Sequence, residues 1–144
     1  MKTWVSKKKG FTLIELLVVT TIIIVLMSIG IISYQAAKKK GRDSKRKSDL
    51  EQVRAALEMY RSDYDQYPAG NWSVATAALV ADNYLGAAPE DPKSSTYQYV
   101  YSVGGSNLTY SLYAYMEIPT GDSHGGTDCG VGESTVCNYR VVNP

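Results

Sequence analysis

The stretch that decides the fold is KKKGFTLIELLVVTTIIIVLMSIGIISYQAA, residues 7–37. From Phe11 to Ala37 it contains Glu15 as its single charged residue. As a helix this part would extend about 40 Å, at ~1.5 Å per residue. A bilayer core needs roughly 20 apolar residues, so the sequence predicts a membrane-spanning helix. A secretory signal peptide explains the stretch less well, because its apolar core is only about 7–15 residues long and precedes the cleavage site.

Charge is distributed unevenly along the 144 residues. Residues 38–47 contain seven Lys/Arg and one Asp, whereas the chain from residue 48 onward contains 12 Asp/Glu and 4 Lys/Arg. The net charge of +1 therefore conceals three unlike regions. This distribution argues against a uniformly basic nucleic-acid binder. The sequence also offers no nucleophile–base arrangement and no phosphate-binding loop, so we predict no enzyme, no cofactor and no nucleic-acid partner.

Glu15 is the informative residue of the apolar stretch. A charge inside a membrane helix costs roughly 2.5–3.5 kcal/mol at the helix centre, so it usually has a function. In one interpretation Glu15 is structural, because the helix dipole favours an anion near the helix start. In the other it has a cationic partner at the same depth. Cleavage after Gly10 would create one, the free amine of Phe11, which could neutralise Glu15 of a neighbouring subunit.

KKKG followed by FTLIELLVV resembles the N-terminal signal of type IV pilins and type II secretion pseudopilins. The resemblance implies that prepilin peptidase cleaves between Gly10 and Phe11 and methylates the new N-terminus at Phe11. It also implies that Glu15 acts in assembly, recruiting subunits into a helical filament whose core is a bundle of these helices. The implied fold is α+β and pilin-like, with a long N-terminal helix packed on a small antiparallel sheet.

The resemblance continues more weakly along the chain. LEMYRSDYDQYP (57–68) and PEDP (89–92) are similar to the helix end and loop of major pseudopilins. The apolar stretch differs from many family members in lacking a proline. A kink or melted turn there would have to rest on Gly30 alone.

The basic cluster 38–47 cannot lie in lipid, and we predict a solvated helical neck that contacts anionic headgroups. Beyond it, Leu50, Val53 and Leu57 recur on one face of an amphipathic helix. One helix is therefore predicted from about residue 12 to 65, ending before Pro68 because proline disfavours helical geometry in the preceding residue.

The remaining sequence predicts a short helix and a small sheet. The short helix is predicted over 74–81. Alternating residues over 96–103 and 108–116, on either side of GGSN, predict an antiparallel hairpin, and 136–142 is a candidate third strand. We expect the sheet to cover the helix face that carries Leu57.

Cys129 and Cys137 are the only cysteines, and in an exported domain they predict one disulfide. A metal pair would lack the further ligands that zinc requires. The single histidine, His124, is predicted to be solvated. Major pseudopilins have an acidic C-terminal loop that binds calcium. Three residues could provide similar oxygen ligands here, although their spacing matches no known calcium loop, and the disulfide could order the loop instead: Asp122, Asp128 and Glu133.

The predicted organisation has four parts. These are a leader peptide (1–10), a transmembrane and assembly helix (11–37), a basic neck with an amphipathic helix (38–66), and a head made of an αβ-loop, hairpin and disulfide loop (67–144). Lysine and arginine counts around the span would favour a cytoplasmic head. The family resemblance and the cysteines favour the opposite orientation, and we adopt that one.

The predicted function is a structural subunit of a helical filament, made as a single-pass membrane precursor and found outside the cytoplasm when mature. Its predicted partners are other copies of itself, prepilin peptidase, the assembly machinery in the membrane and, before assembly, the lipid bilayer. Both a type IV pilus and a type II secretion pseudopilus fit, and residues 57–68 favour the pseudopilus. The alternative is a monomeric membrane-anchored extracellular binding module.

Overall fold

The computed structural model describes residues 10–118 and 127–143, apart from the side chains at positions 29, 30 and 32. These residues form two units that divide after Lys38. We call them the apolar segment (10–38) and the globular unit (39–143). Helix α1, Leu13–Tyr64, contributes residues to both. The predicted single long helix is therefore confirmed, and its backbone is helical through Gly30.

In the globular unit, α1 buries the face that its apolar spacing predicts. Leu50 and Leu57 are fully buried and Val53 nearly so, while Met59 on the opposite side is half exposed. The helix ends where Asp65 takes a left-handed conformation with φ of 59°. Its N–H donates to the carbonyl of Arg61 at 2.8 Å. This capping, rather than Pro68 alone, stops the helix.

Helix α2 spans Trp72–Ala81. It begins two residues before the predicted start because Asn71 is a good N-cap: its side-chain oxygen accepts a hydrogen bond from the N–H of Val74 at 3.1 Å. Ala75 and Leu79 lie on its buried face.

Three antiparallel strands form the sheet, in the order β1 (Val100–Gly104), β2 (Thr109–Ala114) and β3 (Tyr139–Val142). The predicted hairpin is confirmed. Its turn takes three consecutive positive φ angles, at Gly105, Ser106 and Asn107, which suits glycine and asparagine.

Two predicted strand starts were too early. Residues 96–98 do not extend β1, because they bond to the disulfide loop instead. Gln98 N–H donates to the carbonyl of Cys129 at 2.8 Å, and the carbonyl of Thr96 accepts from Val131 N–H at 2.9 Å. Similarly, Val136 makes only an isolated bridge to Asp128 before β3 begins. Alternation alone does not reveal these partners.

One core joins α1, α2 and the sheet. Its aromatic members also carry hydroxyl groups, and burial raises the pKa of Tyr99 and Tyr110 well above the usual value. Tyr99 donates to Asp49 at 2.8 Å and Tyr110 to Glu58 at 2.9 Å, so each buried hydroxyl is satisfied by a carboxylate of α1. The buried core residues are Leu50, Val53, Ala56, Leu57, Tyr67, Ala75, Leu79, Tyr99, Tyr101, Tyr110, Leu112, Ala114, Met116 and Val141.

Candidate assembly site

The start of α1 is a capping box formed by Thr12 and Glu15. The Thr12 hydroxyl accepts from the Glu15 N–H at 3.3 Å. In return, Oε2 of Glu15 accepts from the Thr12 N–H at 2.9 Å and from its hydroxyl at 2.8 Å. These reciprocal bonds satisfy donors that a helix start otherwise leaves open. The sequence contains the signal for this box, a threonine three residues before a glutamate, but the sequence-based prediction considered Glu15 alone.

The two hydrogen bonds use one oxygen of the Glu15 carboxylate. Within residues 10–118 and 127–143, Oε1 of Glu15 accepts no hydrogen bond, and its side chain is exposed. Phe11, the residue that would follow the predicted cleavage, is 91% exposed. The capping box therefore fixes the carboxylate at the helix start and leaves one oxygen available to another donor.

The described side chains of the apolar segment are exposed. None of the most apolar stretch of its helix is buried, and the helix is long and apolar enough to cross a membrane. Three of its hydroxyl groups are satisfied locally, since Thr20, Thr21 and Ser28 each donate to a carbonyl three or four residues earlier at 2.8–2.9 Å. Such a surface needs lipid or other apolar helices around it.

The globular unit contains a buried ionic cluster around Arg46, whose side chain is fully buried. Arg46 donates to both carboxylate oxygens of Asp91 at 2.7 and 2.9 Å. It also donates to Asp43 at 2.7 Å and to Glu117 at 3.2 Å. Glu117 receives further bonds from Arg42 at 2.5 and 2.7 Å and from Lys93 at 2.9 Å. Three separate segments are thereby joined through one guanidinium.

The contacts in this cluster favour the ionised forms of Glu117 and Arg46. Hydrogen bonding to Arg42, reinforced by Lys93 and Arg46, lowers the pKa of Glu117 well below its usual value, against the opposing effect of burial. Burial alone would lower the pKa of Arg46, but the hydrogen bonds and charges of the surrounding carboxylates outweigh it and raise that pKa. Glu117 and Arg46 therefore stay ionised at neutral pH.

This cluster corrects the prediction of a solvated neck at Arg42, Asp43 and Arg46, whereas the other residues of the range 38–47 are exposed as predicted. Arg46 and Asp43 are buried, and Arg42 is only 21% exposed at its side chain. The reason is helical spacing: Arg46 lies four residues before Leu50, on the face that continues to Val53. That spacing was readable in the sequence, although the acidic partners Asp91 and Glu117, which lie far along the chain, were not.

The predicted disulfide is present. Cys129 and Cys137 are joined and fully buried. Asp128, one of the candidate calcium ligands, accepts hydrogen bonds from the N–H groups of Gly130 and Thr135, both at 2.8 Å. Its carboxylate therefore orders the disulfide loop itself. His124 and Asp122 lie outside the described residues, and no group of three potential metal ligands occurs within those described.

Two family descriptions match this chain in sequence. Residues 5–31 match the prokaryotic N-terminal methylation motif, and residues 33–128 match type II secretion system protein G. The combination of a prepilin-type N-terminus, a long exposed apolar helix and a small α+β unit defines the pilin class. Within it, the chain belongs to the type II secretion system protein G family.

Curated relatives carry the name type II secretion system core protein G. The protein from Pectobacterium carotovorum subsp. carotovorum is 33% identical over 103 residues, which are 64% of this chain and 66% of the relative. The one from Dickeya chrysanthemi is 29% identical over 140 residues, which are 88% of this chain and 90% of the relative. The one from Klebsiella pneumoniae is 34% identical over 104 residues, which are 65% of this chain and 74% of the relative. No solved structure matches the chain.

Proposed function

We propose that the chain is a structural, non-catalytic subunit of a type II secretion pseudopilus, polymerised through its apolar segment. The observation that carries this proposal is an apolar segment whose described side chains are exposed, which begins with a capping box and keeps one oxygen of Glu15 available. The names of the curated relatives support a secretion pseudopilus rather than a surface pilus.

In this proposal, prepilin peptidase cuts the membrane precursor between Gly10 and Phe11 and methylates the amine of Phe11. The new ammonium group and Glu15 then lie at similar depth in an apolar environment. Neither charge is favourable there alone, whereas the pair is neutral and hydrogen-bonded. A neighbouring subunit supplies the missing partner, so the helix that anchors the precursor in lipid becomes the core of a polymer outside the cytoplasm.

Expression with prepilin peptidase tests the processing step. Mass spectrometry of the intact chain should show loss of residues 1–10 and addition of one methyl group at Phe11. A chain that keeps residues 1–10 in the presence of active peptidase would contradict the proposal.

Two substitutions of Glu15 separate charge from capping. Glu15→Gln keeps an acceptor for Thr12 but removes the charge, whereas Glu15→Ala removes both. We expect both variants to insert and be cut, and neither to form filaments visible by electron microscopy of sheared material. If only Glu15→Ala fails, Glu15 acts through helix capping. If both variants assemble like the wild type, the pairing with Phe11 is wrong, and absence of wild-type filaments would favour the monomeric membrane-anchored module.

Deletion in the native host tests which filament is formed. A pseudopilus subunit is needed for export through the type II system, so exported proteins should accumulate inside the deletion strain and return to the medium on complementation. A deletion strain that secretes normally but loses surface filaments would identify a pilus subunit instead.

A further inference from the structure

A groove of about 530 Å³ opens on the globular unit, between the start of α2 and residues 89–101. Trp72 and Tyr97 line it, together with the carboxylates of Glu90, Asp91 and Asp128. The groove therefore combines aromatic walls with negative charge, and this combination accommodates a cation on an apolar stem.

Among the described residues, only one of these carboxylates lacks a partner. Asp91 is neutralised by Arg46, and Asp128 accepts two backbone N–H groups. Glu90 is exposed and makes no hydrogen bond or ion pair with the residues that the structure describes. The groove thus has an unneutralised charge at Glu90.

Tyr97, one aromatic wall of the groove, already contacts two cations of its own chain. The guanidinium carbon of Arg46 lies 5.6 Å from the ring centroid of Tyr97, and the ammonium of Lys93 lies 5.9 Å from it. Trp72 packs against Tyr99 with ring centroids 5.0 Å apart, which holds its ring in place at the groove. Both aromatic walls are therefore fixed before any ligand arrives.

The same chain carries lysines that form no ion pair with the residues the structure describes. Lys39, Lys40 and Lys45 are exposed and form no ion pair with any described carboxylate. Lys47 lies 5.4 Å from the ring of Tyr139 and likewise forms no ion pair there. These four lysines, which we call the lysine run, contrast with Arg42 and Arg46 on the same helix, whose charges are used inside the globular unit.

We propose that the groove at Glu90 holds lysine side chains from the lysine run of a second copy of this chain. The proposal rests on the proposed function, because a filament is what brings copies together. Each copy has both a groove and a lysine run, so the contact can repeat from one copy to the next, and a heterologous contact of this kind that does not close on itself generates an open helical filament. In the contact, the lysine stem packs on the aromatic wall and its ammonium meets Glu90.

Charge reversal tests the groove. Glu90→Lys should lower the yield of sheared filaments by at least about tenfold, because like charges would then face each other. Glu133→Lys makes the same change at an exposed carboxylate that does not line the groove, and should leave the yield unchanged. Adding Lys45→Glu to Glu90→Lys should restore part of the yield. Near-UV circular dichroism checks folding, and Glu90→Gln, which introduces no new charge, should give an intermediate yield.

Cross-linking tests the contact directly. Ser94 lines the groove and Ser44 adjoins Lys45, and both are exposed. Cells that express a Ser94→Cys chain and a Ser44→Cys chain together should give a cross-linked heterodimer within filaments. Because each chain has one added cysteine, that product can form only between copies. Replacing Ser94→Cys by Thr109→Cys, at an exposed position outside the groove, should abolish it.

The outcomes are separable from those of the proposed function. Filaments that assemble normally with Glu90→Lys, or that lack the Ser94–Ser44 product, would overturn the groove contact and leave the filament function standing. Absence of wild-type filaments would overturn both. The proposal is also wrong if Lys45→Glu reduces binding of the chain to phosphatidylglycerol vesicles while Glu90→Lys filaments form at the wild-type level. In that case the lysines contact anionic lipid headgroups rather than a neighbouring copy.

Discussion

Replacing Arg46 by methionine is expected to be the most damaging single change in the globular unit. Methionine keeps most of the side-chain volume and removes the charge. Asp91, whose side chain is 1% exposed, would then lose both guanidinium bonds, and Asp43 would lose its only ion pair among the described residues. Asp43 would still accept the N–H groups of Glu117 and Ile118. The cost therefore comes mainly from a buried carboxylate without a counter-charge.

Removing one partner of a buried ion pair typically costs about 3–5 kcal/mol. A unit of this size has a total stability of roughly 5–15 kcal/mol, so Arg46→Met should consume a large share of it. Arg42→Met is the matched control. Its side chain is partly exposed, and Glu117 would keep Lys93 and Arg46, so the expected loss is about 1 kcal/mol or less.

The assay is urea unfolding of the full chain in detergent. Near-UV circular dichroism of the tyrosines monitors the transition, because the far-UV signal would include the apolar helix. Asp91→Asn and the double variant complete a mutant cycle, and we expect the double variant to be less destabilised than the sum of the single changes by about 2 kcal/mol. If Arg46→Met is no more destabilising than Arg42→Met, or the cycle shows no coupling, the cluster is not a stabilising unit and the reasoning fails.

Three further predictions concern the same unit. Because the pKa of Glu117 is lowered in the folded state, its carboxylate adds to the free energy of unfolding above the ordinary carboxyl pKa, and this addition is lost as pH falls below that value. Glu117→Gln should therefore be less stable than the wild type at pH 7. In urea titrations it should also lose less stability than the wild type between pH 5 and 2. Cys137→Ser should cost about 2.6 kcal/mol by the loop-entropy model, and a reducing agent should destabilise the wild type but not the variant. An added Cβ at Gly130 would lie 1.8 Å from the carbonyl oxygen of Glu133, so Gly130→Ala should lower the thermal midpoint, whereas Gly86→Ala, which meets no atom within 4 Å, should not.

Periodicity predicted the parts of the fold that depend on neighbours in sequence. The spacing of Leu50, Val53 and Leu57 predicted the buried face of α1, and alternation around GGSN predicted the hairpin. Both patterns follow from backbone geometry, which is local. The strand boundaries were less accurate because residues 96–98 pair with the disulfide loop, a partner about 30 residues away that no local pattern encodes.

The candidate site divides in the same way. The N-terminal signal is contiguous, so Gly10, Phe11 and Glu15 could be identified directly, and their roles stay predictions until tested. Arg46 was assigned to a solvated neck because a run of basic residues is usually exposed, and its partners Asp91 and Glu117 become neighbours only after folding. A charge placed at the spacing of a buried face was the signal that could have identified it.

The acidic C-terminal loop leads to a prediction about calcium. Of its candidate ligands, Asp128 is already bonded to two backbone N–H groups of its own loop. Glu117 and Ile118, which precede the loop, are fixed by Asp43, and the disulfide fixes its other side. Hydrogen bonds and the disulfide thus fix the residues on both sides of the loop, a role that a bound cation would otherwise have.

We therefore expect the thermal midpoint of the full chain to be the same with added calcium, with EDTA and with neither. The measurement is sensitive, because a ligand at about 100 times its dissociation constant stabilises the folded state by ~2.7 kcal/mol. Magnesium at equal ionic strength controls for screening of the lysine run. A midpoint that rises with calcium but not with magnesium would show that the loop binds the ion despite the engagement of Asp128, and Asp122→Asn should then abolish the rise.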